Sequence, residues 1–306
     1  MRIAVFTKNF SNPAYEAARL GATRAAVLGG ASVSHYVPES PDDPEQQSLL
    51  IERALAEGTD AVVISPVHPS HVDAALARIA AACIPLFAFV NPVSSVPCVS
   101  YVGADDRQLA HDVAGYLFDR LGGRGRILVV SGHIHSVTSL DRMRGFEEAI
   151  AAAPGIKPVA RLVGDYQREI ARRVVSDWLD SSDGRQGVDG CLVANDVMAL
   201  GVLDALRAAG HRSQVVGVNA IPEAIRAIRT GLMLATADFN AMQMASLITE
   251  CALRHLRGER APSRIDLPVE LVDIRNASHW DLPYEQRAIK TLAEVLSWRQ
   301  TLPSPA

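Results

Sequence analysis

The chain has 306 residues, more than one hydrophobic core usually supports, so two lobes are expected. Apolar residues make up 48% and charged residues 21% of the chain, which is typical of a soluble globular protein. The net charge of −4, with lysine and arginine spread along the chain, argues against a nucleic-acid partner. No apolar run is long enough to predict a membrane span.

The first residues and the cysteines do not decide the cellular compartment of the protein. Met1 and Arg2 lead directly into the apolar run 3–6, which is too short for the core of a signal peptide. Either the protein is cytoplasmic or a leader has been removed. No C-x-x-C spacing occurs, so buried free thiols are expected rather than a metal site. The cysteines are Cys83, Cys98, Cys191 and Cys251.

Strand and helix signals alternate along the first hundred residues. Strands are predicted over residues 3–7, 32–37, 60–65, 85–90 and 98–102. Asn12-Pro13 and Asp43-Pro44 each place a capping residue before a proline, which marks the start of a helix. A third helix is predicted over 70–82. This alternation predicts one doubly wound parallel sheet.

The same alternation begins again near residue 105, which suggests a tandem of two similar α/β halves. Helices are predicted over 106–121, 141–152, 168–180, 196–209, 222–230 and 242–257. Strands are predicted over 126–131, 158–163, 190–194, 214–218, 232–237 and 268–274. Beyond these, residues 276–283 are rich in turn residues around an apparently exposed Trp280. An amphipathic helix over 284–301, with Ile289 and Leu292 on its apolar face, is predicted to pack on a lobe, and the alternative is that it binds a partner.

Asn195 and Asp196 stand between a buried strand and the helix that follows it. In an open α/β sheet, ligands bind at the carboxyl ends of the strands. An asparagine there offers both a donor and an acceptor, which suits a hydroxyl group. The alternative is that Asn195 or Asp196 only caps the helix.

The motifs of several enzyme classes are absent from the sequence. The loop after the first strand, residues 7–13, contains no glycine for a dinucleotide or phosphate, and no G-x-S-x-G motif occurs. His133 and His135 share one loop but have no accompanying metal-ligand cluster, so they are expected to be solvated or to contact a ligand. Asp105 and Asp106 are expected to cap a helix. Neither enzymatic activity, a cofactor nor a metal is predicted.

Four stretches carry a resemblance to a known family: Asn12-Pro-Ala-Tyr15, Arg142-Met-Arg-Gly-Phe146, Val193-Ala-Asn-Asp-Val-Met-Ala-Leu-Gly201, and Val215-Val-Gly-Val-Asn219 followed by Pro222. With them, residues 3–270 resemble the periplasmic ribose/galactose-type (type I) solute-binding proteins of ABC sugar importers. Lac-repressor-like regulators share this lobe plan in their effector domains.

The resemblance implies an α/β fold of two doubly wound parallel-sheet lobes joined by a hinge of three crossovers. The N-terminal lobe would comprise residues 1–104 and 240–270, and the C-terminal lobe residues 105–239 and 271–306 with the amphipathic helix. The lobes would close on a small sugar or polyol, which a periplasmic monomer delivers to an ABC permease. The alternative is a cytoplasmic ligand-sensing effector domain, although no helix-turn-helix precedes Ile3.

By position, the resemblance implies a pocket in which aromatic rings cover apolar faces of the ligand and amides bind its hydroxyls. His135 is added as a further candidate from its own loop. The predicted ligand-binding residues are Lys8, Asn12, Tyr15, Asn91, His135, Tyr166, Asn195, Asn219 and Phe239.

Departures from the family pattern argue against ribose as the ligand. Ribose binders carry an Asp-Arg pair where this chain has Val90-Asn91, and an aspartate where it has Asn219. A neutral polyol, a deoxy or branched sugar, or a ligand whose anionic group is held by Lys8 and the histidines of the 133–135 loop would fit.

Overall fold

A computed structural model describes the backbone of residues 1–301 and the side chains of residues 1–297. Its strands are β1 Arg2–Phe6, β2 Ser32–Tyr36, β3 Ala61–Ile64, β4 Leu86–Phe89, β5 Ser100–Gly103, β6 Gly125–Ser131, β7 Ile156–Val163, β8 Gly190–Val193, β9 Gln214–Val218, β10 Ala235–Asp238, β11 Arg264–Asp266 and β12 Glu270–Asp273. Its helices are α1 Pro13–Leu28, α2 Pro44–Glu57, α3 Asp73–Ala81, α4 Asp106–Arg120, α5 Val137–Ala152, α6 Arg168–Leu179, α7 Asp196–Ala208, α8 Pro222–Arg229, α9 Ala241–Leu256 and α10 Leu292–Thr301.

The chain divides into two compact α/β units. The first unit contains Met1–Gly103, Asn240–Leu267 and residues 284–301, and the second contains Ala104–Phe239 and Pro268–Pro283. Each unit holds one six-stranded sheet, so the predicted fold class of two doubly wound lobes is confirmed. The chain therefore passes between the units at four places.

Within the described backbone, no helix is both long and apolar enough to span a bilayer.

The two sheets repeat one strand order. The first runs β2-β1-β3-β4-β5-β11 and the second β7-β6-β8-β9-β10-β12. Every neighbouring pair in the first sheet is parallel, whereas β12 runs antiparallel to β10 at one edge of the second. Strands β3 and β4 are apolar and buried at each position, as expected for parallel strands covered by helices on both faces.

Local chemistry explains where the first helices begin. Asn12 has extended backbone angles, and its side chain accepts a hydrogen bond from the Ala14 N–H group at 3.0 Å. Pro13 then occupies the first helical position, where its missing N–H group costs no hydrogen bond. Asp43 and Pro44 repeat this arrangement at the start of α2. These caps are the reason that both helix starts were predictable from the sequence.

Three elements differ from the predictions. Helix α5 begins at Val137, whereas its start was predicted near residue 141. The first turn was missed because its buried residues, Thr138 and Ser139, show no apolar periodicity. Strand β11 was not predicted, since its three residues include one apolar side chain, Ile265. Helix α10 begins only at Leu292, since Thr291 and Glu294 form reciprocal side chain to backbone hydrogen bonds there.

Residues 271–306 were expected in the C-terminal lobe. Residues 271–283 do belong to the second unit, whereas the structure groups residues 284–301 with the first unit. Gln243 of α9 donates to the Lys290 carbonyl and accepts from the Lys290 N–H group, both at 2.6 Å. The Leu292 side chain is fully buried, and its N–H group donates to Glu250 at 2.8 Å. Polar contacts of this kind leave no periodic signature in the sequence.

Two expectations about single residues were wrong. Trp280 is half-buried, and its indole N–H group donates to Asp238 at 2.7 Å. Cys83 is exposed and Cys98 is half-buried, so only Cys191 and Cys251 are buried free thiols. Burial raises the pKa of Cys191 to about 12, which keeps this thiol protonated at neutral pH.

Helices α1 and α9 of the first unit pack so closely that a side chain is excluded between them. A Cβ atom at Gly21 would overlap the Met242 carbonyl oxygen. In contrast, a Cβ atom at Gly115 on α4 would meet nothing within 4 Å.

We expect Gly21→Ala to lower the free energy of unfolding by about 1–3 kcal/mol, because the backbones must separate to admit the methyl group. The matched control Gly115→Ala should raise it by about 0.5–1 kcal/mol, since alanine favours a helix over glycine. Denaturant unfolding of both variants measures the difference. Equal stabilities of the two would contradict the close packing.

Candidate functional site

All nine predicted site residues follow the carboxyl end of a strand. In the first unit, Lys8, Asn12 and Tyr15 follow β1 and Asn91 follows β4, and all four are buried. The remaining five lie in the second unit after β6, β7, β8, β9 and β10, and they are His135, Tyr166, Asn195, Asn219 and Phe239. Parallel pairing brings such residues to one edge of each sheet, which is where ligands bind in open α/β sheets.

The loop after β1 is organised by asparagines. Besides capping α1, Asn12 donates its N–H group to the Asn9 side-chain oxygen at 2.9 Å. Asn9, which is buried and was not predicted, also donates its amide to Asp42 at 2.9 Å. The cap and the loop are therefore a single hydrogen-bonded structure.

Lys8 is fully buried and forms an ion pair with Asp42, with the ammonium nitrogen 3.6 Å from the carboxylate. Asp42 lies at the far end of the β2–α2 loop and takes a positive φ of 58°. The buried positive charge is thus compensated within the first unit. Sequence reasoning identified Lys8 and missed its counterion, because the two are distant along the chain.

Asn91 is held by a strained turn. Its N–H group donates to the Phe89 carbonyl at 2.7 Å across Val90, which has a φ of 63°. A β-branched residue rarely adopts this conformation, which costs on the order of 1–3 kcal/mol. The Tyr101 hydroxyl supports the turn by donating to the Val90 carbonyl at 2.8 Å. The Asn91 amide then donates to the Pro66 carbonyl at 2.9 Å.

Ser65 directly follows β3, beside the strands that carry Lys8 and Asn91. Its side chain is fully buried, and its hydroxyl has no hydrogen-bond partner among the described residues. A buried polar group without a partner costs about 1–3 kcal/mol. Sequence reasoning passed over this serine, because a single hydroxyl after a strand carries no distinctive pattern.

Asn195 performs the capping function and has a further donor available. Its Oδ1 atom accepts a hydrogen bond from the Met198 N–H group at 2.9 Å, which makes it the N-cap of α7. Its Nδ2 atom is buried and has no partner within the described part of the chain. The two interpretations of Asn195, cap and ligand contact, are therefore compatible. Asp196 is the first residue of the helix and does not cap it.

Arg142 on α5 occupies the centre of the second unit's site and was absent from the predicted residues. Its guanidinium donates to Asp106 and to the Ala194 carbonyl, both at 2.7 Å, and lies 3.5 Å from the Asn219 side-chain oxygen. It also stacks over the Phe239 ring at 5.3 Å. The motif of residues 142–146 contained the signal that could have identified it. Asp105 caps α4 as expected, whereas Asp106 serves as this counterion.

Tyr166 occupies a turn in which both Asp165 and Tyr166 have positive φ angles, 56° and 59°. Its ring lies against Gly132, where a Cβ atom would overlap it. A glycine after β6 is therefore required for this ring position.

His135 lies apart from the buried residues of this unit. Its side chain is exposed, and its ring centroid is 5.6 Å from that of half-buried His133. No group of three or more potential metal-ligating side chains occurs among residues 1–297.

A concavity of about 500 Å³ opens at the amino ends of the strands of the second sheet, opposite to the predicted site residues. It is lined by Arg124, Lys157 and Asp189 among others, and none of the predicted residues lines it.

Comparison with known proteins identifies the family of the chain. The periplasmic binding protein domain matches residues 3–260 of the chain. The chain belongs to the periplasmic binding protein family. The predicted resemblance to ribose/galactose-type solute-binding proteins is confirmed, since ribose import binding proteins and sugar-bound solute-binding proteins are among its relatives.

Three relatives show the degree of similarity. A xylitol-binding protein of Mycolicibacterium smegmatis is 28% identical over 64% of this chain, and the alignment spans 56% of that protein. A D-ribose/D-allose-binding protein of Pseudomonas aeruginosa is 30% identical over 75% of each chain. A periplasmic solute-binding protein of an ABC transporter from Actinobacillus succinogenes 130z, solved with D-allose, has a TM-score of 0.84 and 26% identity, and the match covers 90% of this chain and 99% of that one.

We expect Gly132→Ala in this periplasmic binding protein to lower the free energy of unfolding by about 1–3 kcal/mol, because the new methyl group displaces the Tyr166 ring. In a Tyr166→Ala background the same change should cost much less, since the ring is gone. A double-mutant cycle measures this coupling. Additive losses would mean that the ring is not the obstacle.

Proposed function

We propose that this protein is a periplasmic solute-binding protein that captures a small, neutral, polyhydroxylated ligand and delivers it to an ABC importer. Capture is proposed to proceed by hinge closure, with residues of both units contacting the ligand. The protein would act as a monomer and without catalysis.

The observation that carries this proposal is the buried amide of Asn195. Its oxygen is committed to the cap of α7, while its nitrogen is buried with no acceptor in the described part of the chain. The buried hydroxyl of Ser65 in the first unit likewise has no hydrogen-bond partner among the described residues. Leaving such groups unpaired is costly, and the hydroxyls of a ligand can accept from the amide and can donate to or accept from the serine.

The charges favour a neutral ligand over an anionic one. Lys8 pairs with Asp42 in the first unit, and Arg142 pairs with Asp106 in the second. Each buried cation therefore already has a carboxylate counterion, and an anionic ligand would add a buried negative charge without a cation of its own, which is costly. His135 is exposed, which also argues against the binding of an anionic group by the histidines of the 133–135 loop.

The relatives point to the same chemical class. Their ligands are xylitol in one case, D-ribose or D-allose in another, and D-allose in the solved structure. All are small and uncharged, and each carries a hydroxyl on most or all of its carbon atoms. D-Ribose remains disfavoured for this chain by Val90-Asn91 and Asn219, which replace charged residues of ribose binders.

A thermal-shift screen identifies the ligand. The panel comprises xylitol, D-ribose, D-allose and, as the acidic member, D-gluconate. A ligand at 100-fold its dissociation constant should stabilise the protein by about 2.7 kcal/mol. We expect a neutral member to do so and gluconate not to. Stabilisation by gluconate alone would contradict the charge argument.

Asn195→Ser tests the site itself, because serine retains a capping oxygen and lacks the amide donor. We expect the affinity for the best panel member to fall roughly five- to 150-fold, since one unpaired buried group costs about 1–3 kcal/mol. The melting temperature should change little. Calorimetry and thermal unfolding provide the two readouts.

Asp105→Ala is the matched control, since it removes a different N-cap of the second unit, whose side chain accepts from the Gln108 N–H group. It should cost about 1 kcal/mol of stability and leave the affinity unchanged. An Asn195→Ser protein that binds like the wild type would remove the central residue from the site.

Hinge closure makes a separate prediction about size. Saturating ligand should lower the radius of gyration measured by small-angle scattering, because closure of two units around a ligand compacts the molecule. Superimposable scattering curves with and without ligand would contradict this mechanism while leaving the binding proposal intact.

A further inference from the structure

Asp196 is a fully buried carboxylate that joins three segments of the second unit. One oxygen accepts a hydrogen bond from the Thr236 hydroxyl on β10 at 2.7 Å. The other accepts from the Ile221 N–H group, in the connection from β9 to α8, at 3.1 Å. Asp196 is itself the first residue of α7, directly after Asn195. A single carboxylate thus connects the strand ends that carry Asn195, Asn219 and Phe239.

The turn that it holds is strained. Asn219 has a φ of 123° and Ala220 a φ of 52°, both outside the regions that residues with a side chain favour. The Ala220 N–H group donates to the Thr236 hydroxyl at 3.3 Å, and that hydroxyl donates to Asp196. Two hydrogen bonds of this turn therefore lead to Asp196, and the Asn219 N–H group donates a further one to the Ala237 carbonyl at 2.8 Å.

The surrounding structure leaves space for this carboxylate. Gly217 on β9 faces it, and a Cβ atom there would overlap the Asp196 oxygen. A buried carboxylate is costly unless hydrogen bonds compensate it, and a capping role does not account for it, because Asn195 caps the helix. Its contacts all serve the geometry of the 219–221 turn.

We propose that Asp196 is a positioning residue for ligand binding, which fixes the 219–221 turn so that Asn219 faces the ligand. This inference rests on the proposed function, because it assigns Asn219 to the ligand site. Asp196 itself contacts no ligand and acts through the turn.

Protonation of Asp196 should change the ligand affinity, which makes its role measurable. Burial raises the pKa of Asp196 to about 7, with Arg142 on α5 lowering it and Asp238 at the end of β10 raising it. The ionised carboxylate accepts both hydrogen bonds, whereas protonation converts one oxygen into a donor. Ligand binding should therefore favour the ionised form, and affinity should fall as the pH drops through about 7.

The first experiment needs no ligand. Site-resolved amide hydrogen exchange compares wild type, Asp196→Asn and the control Asp105→Ala. We expect the Ala220 or the Ile221 N–H group to exchange at least about tenfold faster in Asp196→Asn than in the control, because asparagine offers one acceptor oxygen in place of two. Thr236→Val, which removes only the hydroxyl, should accelerate exchange at Ala220 and serves if Asp196→Asn does not fold.

The second experiment measures affinity for xylitol, D-ribose and D-allose by calorimetry from pH 6 to pH 8. For any of these that binds, the wild-type affinity should rise up to about tenfold across this range, as one linked deprotonation requires. Asp196→Asn should bind more weakly at pH 8 and show a flat profile, a difference that a loss of stability alone would not produce.

Each outcome decides something different. Exchange at Ala220 and Ile221 that is the same in Asp196→Asn and the control would overturn the role of Asp196 in the turn. Faster exchange with unchanged affinity would show that the turn does not position a ligand group. A wild type that binds none of the three probes would overturn the proposed function instead, and the exchange experiment would still report on the turn.

Discussion

Parallel pairing of short, buried strands is the constraint on which the other features of this protein depend. A parallel strand must be reached by a crossover from the opposite end of its neighbour, so all such strands finish at the same edge. Strands such as β3 and β8 are apolar throughout and can carry no polar function themselves. The polar residues that we predict to contact a ligand therefore come after the strands. Both units show this, with Lys8 and Asn91 in one and Asn195 and Asn219 in the other.

The same edge is where the backbone departs from favourable conformations. Val90, Tyr166, Asn219 and Ala220 all have positive φ angles directly after a strand. Each is supported by a neighbour that lies elsewhere in the chain: the Tyr101 hydroxyl for Val90, the space at Gly132 for Tyr166, and Thr236 for Ala220. The rigid strands beneath hold these conformations in place, and side chains are thereby aimed in directions that relaxed loops would not provide.

The sequence predicts features whose cause is local. Strand runs, the Asn12-Pro13 start of α1 and the position of Asn195 after β8 all follow from neighbouring residues, and so does the fold class. Features that depend on distant residues were not predictable. Asp42 lies 34 residues from Lys8, and Asp106 lies 36 residues from Arg142, so neither counterion could be assigned before the fold was known. Asn195 exposes a second limit, because the residue type alone does not reveal that its oxygen caps a helix while its nitrogen has no partner in the described part of the chain.

The interrupted first unit also shapes how the protein is made. Its helix α1 packs on α9 through Gly21, and its sheet ends in β11, yet α9 and β11 follow the whole of residues 104–239 in the chain. During synthesis at roughly 5–20 residues per second, on the order of 10 s pass between the synthesis of α1 and that of α9, and the apolar face of α1 is not covered by α9 in this interval. Most of the second unit emerges in that interval as one continuous stretch. The first part of the chain to be synthesised is thus among the last to complete its packing, and α9 does not cover the apolar face of α1 before then.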